Sequence, residues 1–275
     1  MSESMAEHKD EPRLVAASTH EDLIIPRGSV TAQLNFFTPP SDGSIPFNLA
    51  DREGQPQNYG AELHDVTIQD ARGRETEFTL DSHSFAFLSG VESAEKHFIN
   101  DDSIKRLYYP EIEKLLIDNV PGATRVLIFD HTIRRADHNA ERTPLTRTHI
   151  DQTPLSAEMR VRYHISDASK ADKLLGGSLP YHQRVATFRD GDLVSVEHRY
   201  PHRTGYTGAI KYDPGQQWYY LSGMRNDERL LLKCYDNDEM VGKHGRVPHT
   251  AFVDPRTPDG APGRESIEVR ALVFG

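Results

Sequence analysis

Cysteine and tryptophan each occur once in this sequence of 275 residues, as Cys234 and Trp218. A single cysteine cannot form an intrachain disulfide, which is typical of proteins in a reducing compartment and predicts a cytoplasmic location. The sequence also lacks any apolar run of the roughly 18 residues that a membrane-spanning helix needs. Residues 1–10 are too charged to form the apolar part of a signal peptide. We therefore expect no association with a membrane.

Positive charge is also scarce. The 32 Lys and Arg residues are outnumbered by 42 Asp and Glu residues, which gives a formal net charge of -10, and no dense basic run offsets it. Because an acidic surface is repelled by a phosphate backbone, we expect no nucleic-acid partner.

The chain is long enough for one large domain. Residues 1–27 are rich in charged and polar side chains without apolar periodicity, which predicts a polar N-terminal arm. Residues 28–275 contain no internal repeat and no linker, which predicts one domain over that range.

Short strands dominate this predicted domain. They are separated by turn sequences such as Asp213-Pro214-Gly215. The predicted strands are 29–37, 66–68, 76–80, 125–133, 193–196, 207–212, 218–221 and 266–274. Helices are predicted at 102–119, which Pro110 should kink or split, at 157–175, and at 226–234 after a cap at Asn226. The pattern predicts a mainly β fold with flanking helices around a double-stranded β-helix, the jelly-roll core of the cupin type.

One short stretch, Arg147 to Thr153, carries a candidate metal site. His149 and Asp151 are two residues apart, so in an extended segment their side chains lie on the same face. Two histidines and one carboxylate on one face of a metal form the facial triad of non-haem Fe(II) oxygenases. The candidate for the distant histidine is His249, and a metal there should lie roughly 2.0–2.2 Å from its ligands.

The His-x-Asp pattern is not specific by itself, because the chain has 14 histidines. Other histidines compete for the role of third ligand: His131, His164, His198, His202 and His244. The sequence that follows His249 favours it over these competitors.

That sequence ends in a strand that begins near Arg264. Alternation along the strand places Arg264, Ser266, Glu268 and Arg270 on one face and apolar residues on the other. A guanidinium binds a carboxylate through two hydrogen bonds, and a nearby hydroxyl can donate another. An ordinary strand with its polar face in solvent would show the same alternation. The pattern therefore supports a co-substrate site only because the strand follows the candidate metal ligand His249.

Several longer blocks carry a resemblance to a known family. They are VLIFDHTIRR (126–135), HIDQT (149–153), WYYLSGM (218–224), LLKCYD (231–236), PHTAFVDP (248–255) and RESIEVRALVF (264–274). On these blocks the chain resembles the fungal hydroxylases/desaturases that include the gibberellin desaturase and are related to a cephamycin methoxylation component. The similarity extends over most of the chain after about residue 30.

The resemblance implies an enzyme: a jelly-roll oxygenase dependent on Fe(II) and 2-oxoglutarate that uses dioxygen on a small molecule of secondary metabolism. By motif, it implies that His149, Asp151 and His249 bind the iron. It further implies that Arg264 and Ser266 bind the distal carboxylate of 2-oxoglutarate, with Arg270 as the alternative anchor. An exposed edge strand would also permit a homodimer.

The chain departs from the family at one place. Family members carry an Asn-x-Trp-Arg-Pro block where this chain has residues 175–192, and that block is missing here. This departure leaves two other functions open: a redox-neutral isomerase or cyclase on the same scaffold, and a non-catalytic protein that binds a metal or ligand. Neither the substrate nor the choice between hydroxylation and desaturation follows from the sequence.

Overall fold

The structure of the protein is a computed structural model that describes residues 25–52, 54, 56–136, 144–175, 190–237 and 245–275. Within these ranges strands predominate. The strands are β1 (Val30–Thr38), β2 (Phe47–Leu49), β3 (Gly60–Asp70), β4 (Phe85–Leu88), β5 (Arg125–Arg135), β6 (His149–Ile150), β7 (Leu193–Tyr200), β8 (Arg203–Ile210), β9 (Trp218–Tyr220), β10 (Arg229–Leu232) and β11 (Glu265–Phe274). The α-helices are α1 (Leu80–His83), α2 (Asp101–Ser103), α3 (Tyr109–Asn119), α4 (Pro154–His164) and α5 (Ala168–Leu175).

The strands form two larger sheets and two ribbons. One sheet has the order β1-β3-β9 and the other β2-β7-β8-β6, while β4 pairs with β10 and β5 with β11. Neighbours are antiparallel except for β2 with β7 and β3 with β9. Within the described residues, no helix is both long and apolar enough to cross a membrane.

The main apolar core lies between the two larger sheets. Along β1, Val30, Ala32, Leu34 and Phe36 are buried, and the residues between them are more exposed, as expected for a half-buried strand. These side chains share one cluster with Ile150 of β6 and Ile210 of β8. Burial of each large apolar side chain contributes about 1.5–3 kcal/mol to folding, so this contact fixes β6 against the core.

The β5–β11 ribbon has two different faces. Ile133, Ile267 and Val269 pack against the cluster that contains Ile112 and Leu115 of α3. The opposite face carries polar pairs near the start of β11. The predicted polar face of this last strand is therefore confirmed, and it is turned away from α3.

The predicted helix at 102–119 is present as a longer region with an irregular middle. A π-helical segment, Ile104–Tyr108, separates α2 from α3. It ends just before Pro110, whose nitrogen has no proton to donate to the preceding turn. The expected disturbance at this proline is therefore accommodated by a wide turn.

Two other helix predictions need correction. The single helix expected at 157–175 is two helices, because Asp167 accepts a hydrogen bond from the backbone of Lys170 (3.0 Å) and starts α5 there. The helix expected at 226–234 is wrong, since Arg229–Leu232 is strand β10 and pairs with β4. Cross-strand pairing outweighs the weak helical preference of so short a segment.

The strand predicted at 76–80 is also wrong. Residues Glu75–Glu77 form a 3₁₀ turn, and α1 follows. Thr79 and Ser82 bind each other's backbone amides in a capping box, which stabilises a helix start where alternation alone indicated a strand.

Candidate metal centre

The three predicted ligands lie together, and backbone pairing brings them there. Strand β6 pairs with β8 on one side, with His149 opposite Ala209. On its other side the backbone of His149 pairs with that of His249 through two hydrogen bonds, of 3.1 Å and 2.9 Å. Two residues far apart in sequence are thus direct cross-strand neighbours, and Asp151 follows His149 on the same face.

The ligand atoms of His149, Asp151 and His249 all lie within 4.8 Å of one another. The Asp151 Oδ1 atom is 3.3 Å from His149 Nε2 and 3.9 Å from His249 Nε2. Two ligands at right angles with metal bonds of roughly 2.1 Å would be separated by about 3 Å, so a first-row metal fits with small adjustments. Two imidazoles and one carboxylate are also the donor set expected for Fe(II).

Both imidazoles are oriented by main-chain carbonyl groups. His149 Nδ1 lies 2.8 Å from the Arg147 carbonyl oxygen, and His249 Nδ1 lies 3.4 Å from the Val247 carbonyl oxygen. A ring that donates from Nδ1 carries no proton on Nε2 when neutral, so Nε2 is free to bind a metal. In both rings Nε2 is the atom that faces Asp151.

The charges around the triad favour the protonation states that a metal needs. Burial raises the pKa of Asp151, but the adjacent His149 and His249 imidazoles and the Arg270 guanidinium outweigh burial and hold that pKa well below its usual range. Burial and the adjacent His149 lower the pKa of His249 to about 4. At neutral pH the carboxylate is therefore ionised and the His249 imidazole is neutral.

The competing histidines have other environments. His198 is bonded at both ring nitrogens, to Asn48 (3.0 Å) and Thr207 (2.7 Å). His131 bonds to the hydroxyl of Tyr109 (2.9 Å) on the α3 side of the ribbon, and His164 stacks on Phe129. His202 lies in the exposed turn between β7 and β8. The last competitor, His244, lies outside the described residues.

The predicted co-substrate residues divide into two groups. Arg264 is exposed and donates a hydrogen bond to Ser266 (3.4 Å), at the start of β11. Arg270, further along the same strand, donates from Nε to the Oδ2 atom of Asp151 (3.2 Å). All three line the same cavity as the metal triad, with a volume of about 1780 Å³.

Sequence reasoning missed the side chains that hold Arg270. They are Asp130 (3.2 Å), Thr132 (2.9 Å) and Glu268 (3.0 Å). Asp130 and Thr132 lie on β5 opposite Arg270 and Glu268. The signal that could have found them is the pairing of two strands with alternating charged residues, since cross-strand neighbours on one face interact.

Cys234 lies two residues after the end of β10, in a segment beside Asp151, and not in the predicted helix. Burial and the negative charge of Asp151 raise the pKa of its thiol to about 12. The thiol is therefore protonated at neutral pH and is a poor nucleophile.

This fold and metal centre define a class of protein, that of the jelly-roll oxygenases. A solved structure of the iron and alpha-ketoglutarate-dependent endoperoxidase NvfI superposes with a TM-score of 0.78 and 26% sequence identity, and covers 92% of this chain and 99% of that chain. This likeness confirms the mainly β fold with a jelly-roll core.

Relatives in sequence identify the family. The hydroxylase/desaturase poxK of Penicillium oxalicum is 31% identical over 96% of this chain and 97% of its own length. The alpha-ketoglutarate-dependent dioxygenase phiK of a fungal species is 30% identical over 90% of this chain and 96% of its own length. A family model described as an oxidoreductase/YMDC permease-like domain matches residues 34–185 and 182–274. The chain belongs to this oxidoreductase family, together with these fungal hydroxylases/desaturases and 2-oxoglutarate-dependent dioxygenases.

Family membership confirms the resemblance seen in the sequence, and with it the Fe(II) and 2-oxoglutarate dependence expected of the class. The individual roles of the metal and co-substrate residues stay predictions. The missing Asn-x-Trp-Arg-Pro block cannot be compared, because residues 176–189 lie outside the described part of the chain.

Proposed function

We propose that this protein is an Fe(II)/2-oxoglutarate-dependent dioxygenase that hydroxylates or desaturates a small molecule of secondary metabolism. The observation that carries the proposal is the convergence of His149, Asp151 and His249, with Asp151 ionised and both imidazoles presenting Nε2 to it. Donors on one face of a metal leave its other positions open to a chelating 2-oxo acid and to dioxygen.

Each group in the proposed site has a distinct task. His149, Asp151 and His249 hold the iron, and the bound iron supplies, with 2-oxoglutarate and dioxygen, the oxidising power needed to remove hydrogen from an unactivated C–H bond. Arg264 and Ser266 bind the distal carboxylate of 2-oxoglutarate through charge-assisted hydrogen bonds. The cavity beside the triad takes the substrate, and its apolar lining keeps water away from the reacting carbon.

The test is turnover of 2-oxoglutarate coupled to substrate oxidation. We expect succinate release that requires both iron and dioxygen, and we expect H149A and H249A to lose both metal uptake and succinate release. The exposed H202A variant is the matched control and should retain them. Full 2-oxoglutarate turnover in H149A or H249A would show that the triad assignment is wrong.

The same assay separates the two other functions. A redox-neutral isomerase or cyclase would convert its substrate without dioxygen or 2-oxoglutarate. A non-catalytic binding protein would show no turnover under any of these conditions. Strict dependence on oxygen excludes both.

A cytoplasmic location and a homodimer complete the proposal. The single cysteine supports a reducing compartment. Strand β10 supports self-association, because its Leu230 and Leu232 are 41% and 37% exposed. Sedimentation of the wild type and of L232K should show a dimer that the charged residue weakens; a wild-type monomer at micromolar concentration would contradict the homodimer alone.

A further inference from the structure

The guanidinium of Arg270 lies at the metal triad but is already bonded on all sides. Nε donates to Asp151 (3.2 Å), Nη1 donates to Asp130 (3.2 Å) and Thr132 (2.9 Å), and Nη2 donates to Glu268 (3.0 Å). Its side chain is 23% exposed. An arginine that binds a co-substrate carboxylate needs two adjacent N–H groups free for it, and each nitrogen of Arg270 is already a donor to this chain.

The two oxygens of Asp151 have different neighbours. Oδ1 faces the Nε2 atoms of His149 (3.3 Å) and His249 (3.9 Å), while Oδ2 accepts the hydrogen bond from Arg270. The carboxylate is therefore presented edge-on, with one oxygen toward the metal position and the other held by the arginine.

We propose that Arg270 is a positioning residue that holds Oδ2 of Asp151, so that this carboxylate binds the metal through Oδ1 alone. This inference rests on the proposed function. A metal with six positions, bound by two imidazoles and one oxygen, retains three for 2-oxoglutarate and dioxygen, whereas a carboxylate bound through both oxygens would occupy one of those three.

The side chains that support Arg270 are bonded to one another. Glu268, which accepts a hydrogen bond from Nη2 of Arg270, also accepts one from Arg134 Nε (2.6 Å). Asp130, Thr132 and Arg134 come from β5 and Glu268 and Arg270 from β11, and ten paired positions join these strands. The contacts from β5 to Asp151 thus pass through side chains of the β5–β11 ribbon. Residues that orient a metal ligand by hydrogen bonds are expected to be held by the fold in this way.

Arg264 is different and takes the co-substrate role. It is exposed, and among the described residues its guanidinium donates a long hydrogen bond to Ser266, at 3.4 Å. Its guanidinium can still offer a bidentate pair of N–H groups, with the Ser266 hydroxyl beside it. The two arginines therefore have separate tasks: Arg264, directly before β11, binds the co-substrate, and Arg270, within β11, binds the protein.

The experiment compares R270Q with R264Q, a matched substitution of the arginine that directly precedes β11. Metal affinity is measured by titration of the metal-free full-length protein with Co²⁺ alone, followed by visible absorption. Affinity for 2-oxoglutarate is measured by calorimetry on protein saturated with Co²⁺. We expect R270Q to lose about 10- to 100-fold in Co²⁺ affinity, as for other groups that orient metal ligands, with little change in 2-oxoglutarate affinity. R264Q should show the opposite pattern.

R270K is a second variant that retains the positive charge beside Asp151, Asp130 and Glu268. It tests the inference even if R270Q, which leaves these carboxylates without a cation, does not fold. A single ammonium cannot reproduce the planar fork, so we expect R270K to fold as the wild type by circular dichroism and to lie between wild type and R270Q in Co²⁺ affinity. Wild-type Co²⁺ affinity in a folded R270K or R270Q overturns the inference. If 2-oxoglutarate affinity is lost instead, Arg270 is the co-substrate anchor. Failure of the proposed function would look different, because the wild type itself would then bind no Co²⁺ in the triad.

Discussion

Glu228 shows how one buried charge stabilises this fold away from the metal centre. Its side chain is 2% exposed and is joined to Arg72 by two hydrogen bonds, one of 2.5 Å and one of 3.0 Å. The hydrogen bond with Arg72, together with the backbone of Arg225 and the charges of both arginines, outweighs burial and lowers the pKa of Glu228 to about 2. The sequence suggested a helix N-terminus for this residue, but its partner Arg72 is distant in sequence and local patterns do not reveal it.

The lowered pKa makes this pair a source of acid sensitivity. A carboxylate with a depressed folded-state pKa contributes stability that is complete above its unfolded pKa of about 4.3 and is lost as pH falls through its folded value. We expect E228Q to lower the free energy of unfolding at pH 7 by about 1.5–3 kcal/mol, the range for hydrogen bonds to charged groups. The difference from wild type should shrink between about pH 4 and pH 2. Urea unfolding across that range measures it, and a constant difference would show that another group carries the sensitivity.

A residue-scale consequence also follows for the metal ligands. H249A removes one donor but leaves the backbone bridge to His149, since that bridge uses only main-chain atoms. We therefore expect H249A to retain the fold and to lose metal binding, as shown by unchanged circular dichroism and no Co²⁺ absorption. Loss of the fold in H249A would mean that the imidazole also has a structural role.

At the scale of elements, long patterns predicted well and short ones did not. The strand at 266–274 and the helical region at 102–119 were correct because each has enough alternating or periodic apolar residues to fix its face. The predictions for segments 76–80 and 226–234 were wrong because a capping box and the pairing of β10 with β4 decide their conformation. The proximity of His149 and Asp151 was predictable because they are two residues apart in sequence, whereas the support of Arg270 depends on the register of β5 against β11.

Gly263 lies where the β5–β11 ribbon ends, next to Arg264, the predicted ligand of 2-oxoglutarate. A Cβ atom at this position would lie 2.3 Å from the carbonyl oxygen of Ala136, a backbone atom that cannot turn aside. We expect G263A to separate the end of the β5–β11 ribbon, to cost about 1–3 kcal/mol of stability, and to weaken 2-oxoglutarate binding through displacement of Arg264. Denaturant unfolding and calorimetry with 2-oxoglutarate measure the two effects.

The control for G263A is G191A. A Cβ atom at Gly191 would meet nothing within 4 Å, so this substitution should leave stability and 2-oxoglutarate affinity close to wild type. Equal effects of the two substitutions would indicate that the loss of glycine flexibility, and not the contact with Ala136, is responsible.

At the scale of the whole molecule, the candidate metal centre joins two distant segments of the chain. His149 and Asp151 lie in and just after β6, and His249 lies between β10 and β11. A ligand that binds only the folded state stabilises it by about 2.7 kcal/mol at a hundred times its dissociation constant. Each kcal/mol raises the melting temperature of a chain of this size by about 2–4 °C. We expect saturating Co²⁺ to raise the melting temperature of the wild type and of H202A by about 5–10 °C, and to have no effect on H149A. Calorimetric scans with and without Co²⁺ test this, and an equal shift in H149A would place the metal elsewhere.

The bridge between His149 and His249 has a consequence for the lifetime of a bound metal. Because each backbone amide donates to the carbonyl of the other residue, the two main-chain segments that carry the imidazoles can separate only if both hydrogen bonds break. Release of a metal by separation of these segments would therefore coincide with local opening of the sheet. The rate of metal dissociation by this route should follow the hydrogen-exchange rates of these two amides. A slow metal exchange would then reflect the stability of the two backbone hydrogen bonds more than the strength of the metal bonds.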